Sequence, residues 1–251
     1  MANIIGMGSL YLDGCPAEIG SKYNPGQAIS IGETAQGKEI HWVVVNDMLI
    51  ADRCILTEVS WDDLDAQSLV FGKGVSIGGF SFTARLLQVG TKEDAPNEWD
   101  SALDTVGEDN SLWHWEDMFF WGQEAATGTA SSRALRGCTS ARRWLNINAT
   151  NSSSFVGFRP ALVPLASDTL WPSSKAMWWL SEKVMWDDAH LDEKLMLWGG
   201  QNIIFGRLEE LTDYEVILSD RGGAMSNDFG SRLGNGRIVI DRAAISGIQR
   251  I

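Results

Sequence analysis

Short apolar runs separated by turn residues dominate the chain, and long amphipathic stretches are scarce. Residues 41–45 (HWVVV) and 48–50 (MLI) have strand character, and Asn46-Asp47 between them suits a tight turn. Residues 75–77 and 80–87 flank Gly78-Gly79, a pair that favours the primed turn of a two-residue hairpin. Residues 156–163 (VGFRPALV) read as one closing strand, with Pro160 near an edge because proline cannot donate to a ladder. Trp198-Gly199-Gly200 reads as a turn, and 234–241 as a hairpin-like end. Helical spacing predicts only short helices at about 61–69, 99–106 and 174–184. Trp61-Asp62-Asp63 and Trp186-Asp187-Asp188 match each other, but so short a match makes no repeat. The expected class is α+β, loop-rich, with short antiparallel sheets.

Composition sharpens this picture. Apolar residues make up 44% and charged residues 21% of 251, so a packed globular chain is expected. The balance of 20 Lys and Arg against 33 Asp and Glu leaves a net charge of −13. That field repels phosphate backbones and anionic lipid, so neither nucleic acid nor a membrane is expected as a partner. No apolar run approaches the roughly 18 residues of a membrane span. The first residues lack a basic and then a long apolar region, so no secretory signal is expected. The 12 Trp and 26 Gly point to large rings filling space between irregular segments.

Chemistry-bearing residues are sparse. His114 sits between Trp113 and Trp115, beside Glu116 and Asp117, and reads as a packed structural histidine before a general base. No nucleophile elbow accompanies it, although a hydrolase using His114 and its neighbouring carboxylates is an alternative. The histidines are far apart and Cys15, Cys54 and Cys138 have no short spacing, so no transition-metal site or disulfide framework is expected. Asp100, Asp104, Glu108 and Asp109 offer hard oxygen ligands without the spacing of a calcium loop, and a solvated acidic loop is the simpler reading. No cofactor is assigned.

Residues 131–162 stand apart. Their frame runs Arg133-x-x-Arg136-Gly137, then Ser140-Ala141-Arg142-x-Trp144, then Ala149-Thr150-Asn151, then Val156-Gly157-Phe158-Arg159-Pro160. Together with Asn97-Glu98-Trp99-Asp100 and Trp121-Gly122-Gln123-Glu124, this resembles the variable proteins diversified by bacterial and phage retroelements. The resemblance is good over 76–165 and suggestive over 40–75. It implies a C-type lectin-like fold of the formylglycine-generating-enzyme-like subtype: a β-rich segment at 1–75, a core at 76–165 with a variable region at about 131–160, and a Trp-rich extension at 166–251 that completes the core or forms an oligomer interface.

Such retroelements mutate template adenines. An AAC codon then yields residues such as Asn, Ser, Ile, Phe, Leu, Cys, Thr or Arg and never a stop, whereas a Trp codon contains no adenine. Residues of that set fill the gaps between the fixed words: Cys138, Thr139, Arg143, Leu145, Asn146, Ile147, Asn148, Ser152, Ser153, Ser154 and Phe155. The resemblance implies that these contact ligand, with Leu145, Ile147 and Phe155 as apolar anchors and the Asn and Ser side chains as adaptable polar contacts. It also implies that Trp113, Trp115, Trp121, Trp144 and Phe158 supply buried area, that Arg136, Arg142 and Arg159 bond backbone carbonyls, and that Gly137 and Gly157 permit turns or close approach.

The implied protein is a non-enzymatic adhesin of a phage tail tip or fibre. It would be carried in the virion, often as a homotrimer, and would bind a host-surface protein or glycan. Rings such as Trp178 and Trp179 would then be buried between subunits. Two relatives of the fold are disfavoured: Ala95-Pro96-Asn97 lacks the carboxylate of a calcium-dependent sugar motif, and the cysteines do not form the pair a formylglycine-generating enzyme needs.

Overall fold

The computed structural model describes residues 2–166, 192–212 and 214–251, and shows a mostly β chain with a few short helices. In chain order the elements are β1 (Asn3–Leu12), β2 (Cys15–Pro16), β3 (Ser21–Lys22), β4 (Ile29–Gly32), β5 (Glu39–Val45), β6 (Met48–Ala51), β7 (Leu56–Thr57), α1 (Trp61–Ala66), β8 (Lys73–Ile77) and β9 (Phe80–Arg85). Then follow α2 (Glu98–Val106), α3 (Asn110–Trp113), β10 (Phe119–Ala126), β11 (Thr129–Gly137), β12 (Ser140–Asn148), β13 (Val156–Phe158) and β14 (Ala161–Pro164). The last elements are β15 (Lys194–Gly199), β16 (Asn202–Leu211), β17 (Glu215–Ala224), β18 (Gly230–Arg232), β19 (Arg237–Asp241) and β20 (Gly247–Arg250).

Local chemistry accounts for the boundaries. Val45 pairs with Met48, and Asn46 and Asp47 between them both take positive φ (51° and 61°), as a primed turn requires. Ile77 pairs with Phe80 across Gly78-Gly79 in the same way. Ser60 caps α1 by accepting from Asp63 N at 3.1 Å, and Asn97 caps α2 by accepting from Asp100 N at 2.8 Å. The helix expected at 174–184, with Trp178, Trp179 and Trp186, lies outside the described residues.

Among the described residues three sheets form. The first runs β2-β1-β5-β6-β14-β9-β8 with β4 also on β1, and the second runs β12-β11-β10-β13-β7-β3. One core, with Trp42, Phe82, Trp121, Leu135 and Phe158, packs on one face of both sheets. A second core, with Val43, Trp99, Trp113, Phe120 and Ala134, packs on the other. Burial on both faces explains why residues 42–45 are apolar without alternation.

Two expectations change here. The closing strand at 156–163 is two strands in different sheets, β13 between β10 and β7 and β14 between β6 and β9, with the buried Pro160 at the crossing. Proline therefore marks a break between interior strands, where its missing N–H costs no ladder bond. Nor does the chain divide at residue 75, since β13 pairs with β7 and β14 pairs with β6.

The described part of the C-terminal extension makes a third sheet, β18-β19-β17-β16-β15-β20, around its own core of Leu197, Ile204, Leu218, Phe229 and Ile240. Met196, Trp198 and Ile203 reach from it into the first core. Hydrogen bonds from Asp47 N to Gly200 O (2.9 Å) and from Gln249 Nε2 to Ser81 O (3.0 Å) fasten it to the first sheet.

Candidate functional site

The residues singled out at 131–160 fall on the β11–β12 hairpin, the loop that leads into β13, and β13 with the two residues after it. Gly137 closes β11 with φ +108°, and a Cβ there would lie 2.5 Å from Met118 O, so only glycine fits without backbone movement. Cys138 follows at φ +72°, its N–H shared between Trp115 O (2.8 Å) and Met118 O (3.0 Å). The bulge sets the register in which Leu135 faces Leu145, Arg136 faces Trp144 and Arg133 faces Ile147.

Strand alternation then sorts the side chains. Leu145 and Ile147 turn towards the first core and pack on it partly, as Cys138 does, while Trp144 turns towards the second. Phe155, 43% exposed, meets Phe119 edge-on with ring centroids 6.3 Å apart. Thr139, Arg143, Asn148, Ser152, Ser154 and Phe155 are exposed, whereas Cys138, Leu145, Asn146, Ile147 and Ser153 are half-buried. None of these positions is buried.

The polar members are less free than expected. Asn148 Oδ1 accepts from Thr150 N at 3.0 Å and Thr150 Oγ1 at 2.8 Å, and Asn151 Oδ1 accepts from Ser153 N at 3.0 Å and Ser153 Oγ at 2.6 Å. Side chains that close turns in their own loop compete with the backbone's alternatives and hold the loop's shape. Asn148 and Ser153 thus also shape their own loop.

The frame behind this face is largely sealed. Trp113, Trp121, Gly137, Gly157, Phe158, Arg136 and Arg159 are buried. Arg136 donates from Nε to Val89 O (3.0 Å), from Nη1 to Arg142 O (2.5 Å), and from Nη2 to Glu93 O (3.0 Å) and Asp100 Oδ2 (2.9 Å). Arg159 donates to Trp113 O at 2.6 Å, and its guanidinium lies over the rings of Phe120 (4.7 Å) and Trp99 (5.0 Å). Burial pushes both guanidinium groups below the usual arginine range. A Cβ on Gly157 would stand 2.7 Å from Leu56 O and 2.8 Å from Cys54 Cβ, so β13 and β7 touch there.

Three frame residues depart from expectation. Trp115 and Trp144 are only half-buried, because each lies at the margin of its core with its indole N–H on a loop carbonyl, Glu108 O at 2.9 Å and Gly90 O at 3.0 Å. Arg142 bonds carboxylates instead of carbonyls: Asp104 at 2.7 Å, Glu108 at 3.3 Å and Asp100 at 3.6 Å. The acidic loop is thus organised around a guanidinium, and these ion pairs raise the Arg142 pKa.

The reason for so many tryptophans is visible in their donors. Trp42, Trp61, Trp99, Trp113, Trp115, Trp121 and Trp144 each give the indole N–H to a backbone carbonyl. An irregular chain leaves carbonyls off the ladders, and a ring with one donor satisfies them while filling volume. Trp61 and Trp42 were not singled out as frame residues, and their signal was this pairing of apolar area with a single donor.

His114 is half-exposed, at φ +45°, and is not packed between rings as expected. Its Nε2 lies 2.9 Å from Arg53 Nη2 and its Nδ1 lies 3.7 Å from Asp52 Oδ2, while Arg53 and Asp52 pair at 2.8 Å. The carboxylate beside it is therefore Asp52, whereas Glu116 accepts from Asn110 at 3.1 Å. A guanidinium on the ring nitrogen occupies the lone pair that a general base would need.

Cys15, Cys54 and Cys138 are free thiols, and burial pushes Cys54 up to about 11. Among the described residues no group of three or more His, Cys, Asp or Glu is placed to hold a metal ion, and no helix is long and apolar enough to cross a membrane. Comparison with models of known families, with characterised proteins and with solved structures finds no match.

Proposed function

We propose that this chain is a non-enzymatic binding protein that displays interchangeable side chains at 138–155 on a C-type lectin-like scaffold of the formylglycine-generating-enzyme-like subtype. Its setting is a phage tail adhesin, carried in the virion and assembled as a homotrimer, with a host-surface protein or glycan as ligand.

One observation carries the reading. The eleven positions assigned to the variable set, Cys138 to Phe155, are all exposed or half-buried, while Arg136, Arg159, Trp113, Trp121 and Phe158 between and behind them are sealed. A surface that must tolerate many residues cannot hold its fold with them, because core substitutions typically cost about 1–5 kcal/mol. A rigid base also lowers the ordering cost of binding. Trimeric assembly would add avidity to weak single sites. The hydrolase alternative draws less support, since His114 faces Arg53 instead of a nucleophile.

The flanking DNA tests the reading. A near-copy of codons 138–155 that differs only at adenines, beside a reverse transcriptase gene, is the expected finding. A genomic neighbourhood with neither would overturn it.

A further inference from the structure

The display hairpin ends in an open backbone as well as in side chains. β12 is a 9-residue strand without Gly or Pro and, among the described residues, the edge of its sheet. On an antiparallel edge every second residue turns its N–H and C=O away from the neighbouring strand. Natural edges of this length are usually blunted by bulges, proline or inward charges, and 143–148 has none of these beyond Arg143 at its start. Among the described residues, side-chain donors close the strand only at its beginning: Trp99 Nε1 bonds Ala141 O at 2.8 Å and Arg136 Nη1 bonds Arg142 O at 2.5 Å. Past that point Arg143 is exposed, and no described carboxylate pairs with it.

We infer that β12 receives an extended polypeptide segment of the ligand as an added antiparallel or parallel strand, with an acidic residue of that segment against Arg143. The inference rests on the proposed binding face and narrows its ligand to a protein. Backbone pairing would supply affinity that survives any change of side chain other than to proline, and Leu145, Ile147 and Phe155 would supply the selection. A face whose residues are exchanged wholesale needs a constant source of attachment, and a strand edge is one that most mutations leave intact. Peptide is favoured over glycan because the free groups at 143–148 repeat with strand spacing.

The test uses the full chain. Nine-residue peptides of random sequence are selected for binding to it, and backbone amide exchange over 143–148 is read by NMR with and without a selected peptide. The expected result is alternate amides in 143–148 that exchange freely in the chain alone and slow by at least about tenfold with peptide. Single N-methylation along the peptide should abolish binding at every second position. Failure to select any peptide, or methylation effects without a two-residue period, would overturn the proposal. So would protection already present in the chain alone: protection that rises with concentration would assign the edge to a second copy, and constant protection to the chain itself. Loss of host-cell binding on replacing Leu145, Ile147 and Phe155 with Ser tests the display reading separately, and can succeed where edge pairing fails.

Discussion

Leu135 and Leu145 face each other across β11 and β12, yet Leu135 is fully buried and Leu145 is only half-buried. One strand spacing separates a residue that holds the core from one that the surface can exchange. The same step recurs between Arg136, which is 1% exposed, and its half-buried partner Trp144.

Replacing Leu145, Ile147 and Phe155 together with Ser should therefore cost less stability than Leu135→Ala alone. Leu135→Ala removes a buried side chain and should cost about 2–5 kcal/mol. Urea unfolding of both variants makes the comparison. A triple variant that is the less stable of the two would place those side chains in the core.

Arg136→Met should cost about 3–5 kcal/mol, the range for breaking a buried charge pair, because Asp100 and the carbonyls of Val89, Glu93 and Arg142 lose their donor together. Arg136→Lys should recover little, since one ammonium cannot reproduce a fork that reaches all of them. Chemical denaturation of the two variants tests both statements, and full stability of Arg136→Lys would contradict the network.

Trp121→Ala should cost about 3–5 kcal/mol, and Trp144→Ala clearly less, because only Trp121 is fully buried. Thermal melts that rank them in the reverse order would mean that the hairpin margin carries the fold.

Cys54 supplies a pH dependence. Its thiol ordinarily titrates near 9.0 and in the folded chain is pushed up to about 11, first by burial. The folded state then holds its proton more tightly than the unfolded state, so stability is unaffected below about pH 9 and falls as pH rises towards 11. The loss over that window should be about 2–3 kcal/mol, because each tenfold difference in proton affinity between the two states is worth about 1.36 kcal/mol. Urea midpoints from pH 8 to 11 should fall more steeply for the native chain than for Cys54→Ala. Parallel curves would show that the thiol ionises as freely folded as unfolded.

The hairpins were legible because their turns are written in single residue pairs, Asn46-Asp47 and Gly78-Gly79, whose backbone freedom is local. The helices at Trp61 and Trp99 were legible in their residue spacing, and in the fold each opens on a capping side chain. Residues 156–163 were misread because an apolar run does not reveal that its two halves serve different sheets. Arg142 and His114 were misread because their partners, Asp104 and Arg53, are distant in sequence. The buried Arg136, Gly137, Gly157, Phe158 and Arg159 lie within the fixed words, whereas the turn-closing roles of Asn148 and Asn151 depend on the loop's backbone geometry.

The most direct test of the division between frame and face is a matched randomisation. Positions 139, 143, 145, 146, 147, 152, 154 and 155 form one library, and positions 113, 121, 136, 137, 157, 158 and 159 form another. Protease resistance of each displayed library reads the folded fraction. Most members of the first library should remain resistant and few of the second should. Equal losses in the two libraries would contradict the account.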